Sequence, residues 1–268
     1  MKNIFAFIGA GNMGGAIIEA VCRKVAPENV FIYDRDEKKA AELSEKTGCS
    51  VAKSAEEAAI SAHFVFLCVK PNVLHDALRA ICPVLGGKVI ISIAAGVAKS
   101  SIKAVLAEAG LDLPIVRLMP NTPVAIGKGM ILVSPDKDVS DEDVALLLEA
   151  LEPGGLTSII DESYIDAATP VFSCSPAYVY MFIEALADGG VMAGVPRDKA
   201  QSYAAQAVLG AAAMVLETGK HPGELKDEVC SPGGATIVGV EELEKRAFRA
   251  AVASAVYEAY RKTTSLGK

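Results

Sequence analysis

The sequence predicts an α/β protein: a doubly wound parallel sheet over residues 1–164, then an all-α domain over residues 165–268. Three observations predict it. Apolar runs of strand length alternate with helical patterns through the first part, the arrangement that yields a parallel sheet with helices on both faces. The first of these runs passes directly into a glycine-rich turn and a helix. Beyond Ile165 strand signals vanish and the chain becomes Ala-rich and helical.

The opening unit carries the most information. Ile4-Phe5-Ala6-Phe7-Ile8 is an apolar strand, and Gly9-Ala10-Gly11-Asn12-Met13-Gly14 follows it into a helix that starts Gly15-Ala16-Ile17-Ile18-Glu19. A βα turn that holds a pyrophosphate needs this order. The first glycine makes the tight turn, the second lets backbone approach the phosphates, and the third lets helix and strand pack closely. The helix N-terminus then offers free N–H groups and a positive dipole end to the anion. A second strand, Val30-Phe31-Ile32-Tyr33, ends in Asp34, where the ribose-binding acid of a Rossmann-type dinucleotide unit sits.

The remaining elements follow in order. Glu37–Thr47 reads as a polar helix, Ser50-Val51-Ala52 as a short strand, and Ser54 as the cap of another helix. Phe64–Val69 is a continuous apolar run, as in a strand covered on both faces, and Val89–Ala94 and Ile115–Met119, each broken by one polar residue, repeat the theme. Gly129–Val133 adds a further strand, and Ser140 caps a helix running to Leu151. In the second part Ser175-Pro176 opens a helix to Ala193, and Pro196 opens a longer one that stops at Thr218-Gly219. A third begins at or just after Ser231–Gly234, and a last covers Val240–Thr263. The long helices are lined by alanines (Ala204, Ala205, Ala211, Ala212; Ala250, Ala251), which bury little area each. A domain of this kind gains stability when another chain completes its core, so a dimer through this domain is expected, against a self-sufficient monomeric bundle.

Composition excludes several classes. The chain has 268 residues, 51% of them apolar, and a formal charge of −7 from 26 basic and 33 acidic residues. With no basic block, nucleic acid is not an expected partner. Six scattered cysteines form no CxxC pair and meet no histidine at metal spacing, so they read as free thiols in a reducing compartment, with no metal. No segment has the layout of a signal peptide, and the apolar runs are strand-sized or broken by charge. The expectation is a soluble, cytoplasmic protein.

In a doubly wound sheet, ligands gather beyond the carboxyl ends of the strands. Those ends read Gly9–Gly14, Asp34-Arg35, Val69-Lys70-Pro71, Ala94-Ala95-Gly96 and Met119-Pro120-Asn121. Lys70 before Pro71 puts a cation at the cofactor, or is a solvated lysine at a turn. Asn121, held between two prolines, offers an amide to the nicotinamide or substrate, or is a plain turn. Asp34 favours NADH by bonding the ribose hydroxyls and repelling a 2′-phosphate, whereas Arg35, Lys38 and Lys39 favour NADPH. Dual use is the reading these opposed signals support.

The helical part holds a second candidate site, Ser231-Pro232-Gly233-Gly234-Ala235-Thr236. Two glycines expose backbone N–H groups, and the hydroxyls of Ser231 and Thr236 add donors, which makes an anion trap suited to a carboxylate. The competing reading is an ordinary glycine-rich helix connection. His63, His75 and His221 show no catalytic pairing with a nucleophile or acid and read as structural or surface residues; Glu184 reads as a paired buried acid in an apolar helix.

With both glycine motifs placed, nearly the whole chain resembles the pyrroline-5-carboxylate reductase family, which makes proline. The carrying segments are Phe7–Gly14, Val69-Lys70-Pro71, Arg117–Pro123, Pro176–Ala185, His221–Lys226 and, most specific, Val229-Cys230-Ser231-Pro232-Gly233-Gly234-Ala235-Thr236-Ile237. The resemblance implies an NADPH- or NADH-dependent hydride transfer to the C=N bond of a cyclic imino acid. It also implies a homodimer through the helical domain, often assembled further into a decamer. By the same resemblance Ser231–Thr236 grips the substrate carboxylate and Thr236 hydrogen-bonds the ring nitrogen. The chain departs from the family pattern before the Pro176 helix, reading Phe172-Ser173-Cys174-Ser175 where glycines usually flank a Ser or Cys. Two other functions compete: a 3-hydroxyacid-type dehydrogenase, which would need an acid-base lysine in the helical domain, and a non-catalytic dinucleotide-sensing dimer.

Overall fold

The computed structural model describes residues 4–266. They form two compact units, one holding the chain up to Ser173 together with the residues from Tyr260, the other Cys174–Ala259. The strands of the first unit are β1 (Phe5–Ile8), β2 (Val30–Tyr33), β3 (Ser50–Val51), β4 (Phe64–Leu67), β5 (Val89–Ser92), β6 (Ile115–Pro120), β7 (Gly129–Pro135) and β8 (Gly155–Ile159). Its helices are α1 (Asn12–Val21), α2 (Glu37–Thr47), α3 (Ala55–Ile60), α4 (Pro71–Ile81), α5 (Lys99–Glu108), α6 (Asp141–Leu151) and α7 (Glu162–Thr169). The second unit contains α8 (Ser175–Met192), α9 (Arg197–Thr218), α10 (Pro222–Glu228), α11 (Ala235–Lys245) and most of α12 (Phe248–Leu266).

The strands form one sheet in the order β3-β2-β1-β4-β5-β6-β7-β8. Pairing is parallel from β3 through β6, and the strand order reverses between β1 and β4, the switch point beyond whose carboxyl ends open α/β sheets take their ligands. Alternate residues of β1 feed opposite faces. Phe5 and Phe7 join Phe64, Phe66, Ile17 and Ile18 in one core, whereas Ala6 and Ile8 join Val65, Leu67, Leu74 and Leu78 in the other. Stacked pairs Phe5–Phe64 (5.0 Å between centroids) and Phe7–Phe66 (4.3 Å) tie β1 to β4 on the first face.

Two features of the sheet depart from a purely parallel reading. β7 runs antiparallel to β6, because the short 3-10 connection over Thr122–Ile126 cannot make a crossover. β8 then pairs parallel with β7 as an edge strand, and its half-exposed residues carry no continuous apolar run that would mark it. The helix starts follow local chemistry. Ser54 accepts from Glu57 N at 3.1 Å, Ser140 from Asp143 N at 3.1 Å, and Gly219 ends α9 with φ +65°.

The first unit extends past residue 164 because α7 packs onto the sheet. Ile165 is fully buried with Met119 and Leu132, and Phe172 packs against the same cluster. In the second unit the third predicted helix is α11 and the last is α12, and the break between them falls at Ala247, whose φ is +57°, later than the expected start at Val240. The core of this unit is thin. Its buried apolar cluster is Ala187, Ala200 and Ala204, while Met181 (70%), Met192 (90%) and Leu216 (69%) stand in solvent in the protomer.

Candidate active site

The turn after β1 is built against the end of β4. Gly9 has φ +107°, and its N–H donates to Tyr33 O at 2.7 Å. A Cβ there would lie 2.6 Å from Cys68 O, and one on Gly14 would lie 2.7 Å from Gly9 O and 2.9 Å from Cys68 Cβ. Both positions need glycine, for a positive φ in one case and close approach in the other. Gly11 is different: a Cβ there would meet nothing within 4 Å. Gly11 caps α1 without a side chain, and no acid occupies the first turn. The first N–H groups of α1, on Asn12, Met13 and Gly14, lack intrahelical acceptors and have no anionic side chain of that turn to meet. A pyrophosphate fits this cradle.

Asp34 has a task the sequence did not disclose. Its Oδ2 accepts from Ala10 N at 2.6 Å and its Oδ1 from Asp36 N at 2.9 Å, so the carboxylate braces the glycine turn from the end of β2. The neighbouring cations are mostly balanced: Lys38 lies 3.8 Å from Glu42 and Lys39 lies 3.6 Å from Asp36. Arg35 is exposed.

At the end of β4, Val69 is half-buried, Lys70 is exposed as the N-cap of α4, and Pro71 is its first residue. After β5, Ala94 is buried with its N–H donating to Ser92 Oγ at 3.3 Å, and Gly96 turns the chain with φ +73°. The structure therefore brings Gly9–Gly14, Asp34, Val69–Pro71 and Ala94–Gly96 to the carboxyl edge of one sheet. Asn121 departs from the expectation of a free amide. It is 7% exposed, its Oδ1 accepts from Met130 N at 2.8 Å, and its Nδ2 donates to Phe172 O at 2.8 Å.

The second candidate loop repeats the device of the first. Gly233 has φ +70°, and Gly234 N donates to Ser231 O at 3.0 Å. Gly234 caps α11 with no side chain and no acid in the first turn. A Cβ on Gly234 would lie 2.4 Å from Ser231 Oγ, so the glycine keeps that hydroxyl in place. Ser231 and Thr236 are exposed, and neither hydroxyl has a hydrogen-bond partner among the described residues of the protomer. Bare helix N–H groups beside two unengaged hydroxyls suit a carboxylate.

Other polar residues of the sequence reading find structural roles. His63 Nε2 pairs with Asp143 Oδ1 at 2.7 Å, a contact across 80 positions that ties the start of β4 to α6. His75 Nε2 meets Ser101 Oγ at 2.8 Å, and His221 Nδ1 accepts from Gly223 N at 3.0 Å to cap α10. Glu184 is exposed in the protomer, not buried; it lines a groove of about 700 Å³ between α8 and α9 with Tyr180, Asp188 and Arg197. In the helical unit Lys220 lies against Glu224 (3.4 Å) and Lys245 against Glu241 (2.9 Å), which leaves neither placed as an acid-base lysine. All six cysteines are free thiols, Cys49 and Cys82 buried and the others half-buried. Cys49 is held down to about 7 by a hydrogen bond from Cys22. Among the described residues no cluster suits a metal ion, and no helix is long and apolar enough to cross a membrane.

Comparison with known proteins bears on both units. Residues 162–266 match the family described as pyrroline-5-carboxylate reductase dimerisation, and residues 4–96 that described as NADP oxidoreductase, coenzyme F420-dependent. The chain is 43% identical over 271 residues to pyrroline-5-carboxylate reductase of Escherichia coli (strain K12), covering 100% of both chains. Among solved structures, the Plasmodium falciparum pyrroline carboxylate reductase with NADP bound superposes with a TM-score of 0.88 at 33% identity, with full coverage of both. The Coxiella burnetii pyrroline-5-carboxylate reductase does so with a TM-score of 0.91 at 28% identity, also with full coverage. Full-length identity at this level, on a glycine-cradled sheet followed by the dimerisation helices, means that the chain belongs to the pyrroline-5-carboxylate reductase family.

Proposed function

We propose that the chain reduces the C=N bond of 1-pyrroline-5-carboxylate to give L-proline, and that its own residues do so by positioning. The observation that carries this reading is the Ser231–Thr236 loop, a bare helix N-terminus flanked by two unengaged hydroxyls in a chain of this family. A reduced nicotinamide, held by Gly9, Gly11, Asn12, Met13, Gly14, Asp34, Arg35, Val69, Lys70, Pro71, Ala94 and Gly96, supplies the hydride. Ser231 and the N–H groups over Gly233–Thr236 hold the substrate carboxylate and so fix the ring. The Thr236 hydroxyl oxygen accepts the N–H of the protonated ring nitrogen and so orients it. A protonated imine is already a strong electrophile, so no strong acid is required of the protein, in keeping with histidines that are occupied elsewhere. Holding reactants in attack geometry can lower a barrier by up to about 7–11 kcal/mol. Mixing the protein with pyrroline-5-carboxylate and NADPH or NADH, and following absorbance of the reduced cofactor, tests this directly. A flat trace with both cofactors leaves the dinucleotide-sensing alternative standing.

Both cofactors serve, because Asp34 and Arg35 act in opposite directions on a 2′-phosphate. Asp34→Ser removes the repelling charge yet keeps an oxygen for Ala10 N. The kcat/KM ratio of NADPH over NADH is expected to rise about tenfold, the equivalent of one removed like-charge contact near 1.4 kcal/mol. An unchanged ratio would show that Asp34 only braces the turn.

The match of residues 162–266 to the family's dimerisation helices supports a homo-oligomer, and we propose a dimer through the second unit with a decamer as its further assembly. Support comes from the apolar side chains that unit leaves exposed, among them Leu209 (55%) and Leu216 (69%) on α9. Replacing both with Glu is expected to lower the mass measured by sedimentation to that of a monomer and to destabilise the helices.

A further inference from the structure

We infer that Asn121 is a positioning residue for the reduction proposed above, locking the last turn before the helical unit and making no bond to the cofactor through its engaged amide groups. Its surroundings carry this. Asn121 follows β6 between Pro120 and Thr122, and its side-chain Oδ1 accepts from Met130 N at the start of β7. Its Nδ2 donates to Phe172 O, within the π-helical turn Pro170–Cys174. Such turns depart from the regular bonding of an α-helix and gather at functional sites. Here an amide fixed between two prolines reaches over to hold the backbone carbonyl of Phe172 in that turn.

The same segment is held at three more points, all from the sheet side. Arg117, 3% exposed on β6, puts Nη1 3.3 Å from Glu162 Oε1 and Nη2 3.0 Å from Asp166 Oδ1 on α7. Glu162 Oε1 also accepts Lys99 N at 2.8 Å, at the start of α5, just after the Ala94–Gly96 turn. Met119 packs on Ile165, with Phe172 against them. The carboxyl ends of β5 and β6 are thereby coupled to residues 162–172, and Asn121 holds the point nearest Ser173, the last residue before the helical unit begins. Phe172-Ser173-Cys174-Ser175 has no glycine to bend, so the side-chain amide sets this turn.

The distinguishing variant is Asn121→Asp. As a carboxylate it would face Phe172 O with two acceptors and no hydrogen; once protonated it donates as the amide does. Burial raises its pKa, so the defect should be full at high pH and relieved as pH falls through the raised value. The full-length assembled protein is measured from about pH 5 to pH 9, always as the ratio to wild type at the same pH. Expected are a kcat ratio down about tenfold or more at high pH that recovers at low pH, and a dinucleotide dissociation constant within about twofold of wild type. Amide exchange over residues 170–176 should speed up in the same pH range. Asn121→Ser, which keeps a short donor, should lie between the two. A cofactor dissociation constant raised tenfold with normal exchange at 170–176 would overturn the proposal in favour of a direct amide contact. A kcat ratio and exchange rate independent of pH and equal to wild type would overturn it as well. Failure of the wild type to turn over pyrroline-5-carboxylate would strike the proposed reaction alone, because the exchange and binding measurements need no turnover.

Discussion

Gly11→Ala is expected to lose only about 1 kcal/mol of stability or less, the cost of a poorer N-cap, while binding dinucleotide about ten- to a hundredfold more weakly. The reason is the open space beyond this residue: an added methyl meets no protein atom within 4 Å, so it occupies only the volume a pyrophosphate needs. Gly14→Ala makes the opposite test. Its methyl would lie 2.7 Å from Gly9 O and 2.9 Å from Cys68 Cβ, neither of which can swing aside, so stability itself should fall by about 1–3 kcal/mol or more. Thermal melts paired with cofactor fluorescence titrations separate the two. Equal affinity in Gly11→Ala and wild type would remove the glycine turn from the binding site.

Thr236→Ala is expected to lower kcat about ten- to a thousandfold, the range for losing one oriented hydrogen-bonding group. The substitution lies in the first turn of α11, where Ala is a good helix former, so the fold should not suffer. Thr236→Ser should restore much of the rate, because the hydroxyl and not the methyl does the orienting. Stopped-flow turnover with saturating cofactor measures both variants. Full rate in the alanine variant would mean that the loop binds substrate without taking part in the chemistry.

Much of this was legible because it is local. Gly9, Gly11 and Gly14 lie within one turn, Ser54 and Ser140 cap helices three residues on, and Ser231 to Thr236 fit in a single loop. Apolar runs of four to six residues marked β1, β4, β5 and β6 because both faces of those strands are buried. What escaped depends on partners far along the chain. The direction of β7 follows from how short its connection is, and β8 has only half-exposed residues to announce it. His63 meets Asp143 across 80 positions and Asn121 meets Phe172 across 51, distances over which composition and period are silent. Asp34 was found as a candidate ligand, but its bond to Ala10 N appears only once β1 and β2 lie side by side.

The three alanines at the centre of the helical unit carry a consequence for how the molecule is made. These methyl groups, with only the partly buried Ile183, Val191 and Val195 against them, make a small core for helices of 18 and 22 residues, so this half of the chain is expected to draw much of its stability from meeting another copy. Its resistance to heat and denaturant should therefore climb with the amount of protein in the tube, in the way a bimolecular equilibrium does. Dilution becomes a denaturant for one half of the protein and leaves the glycine-cradled sheet, with its two full apolar layers, standing.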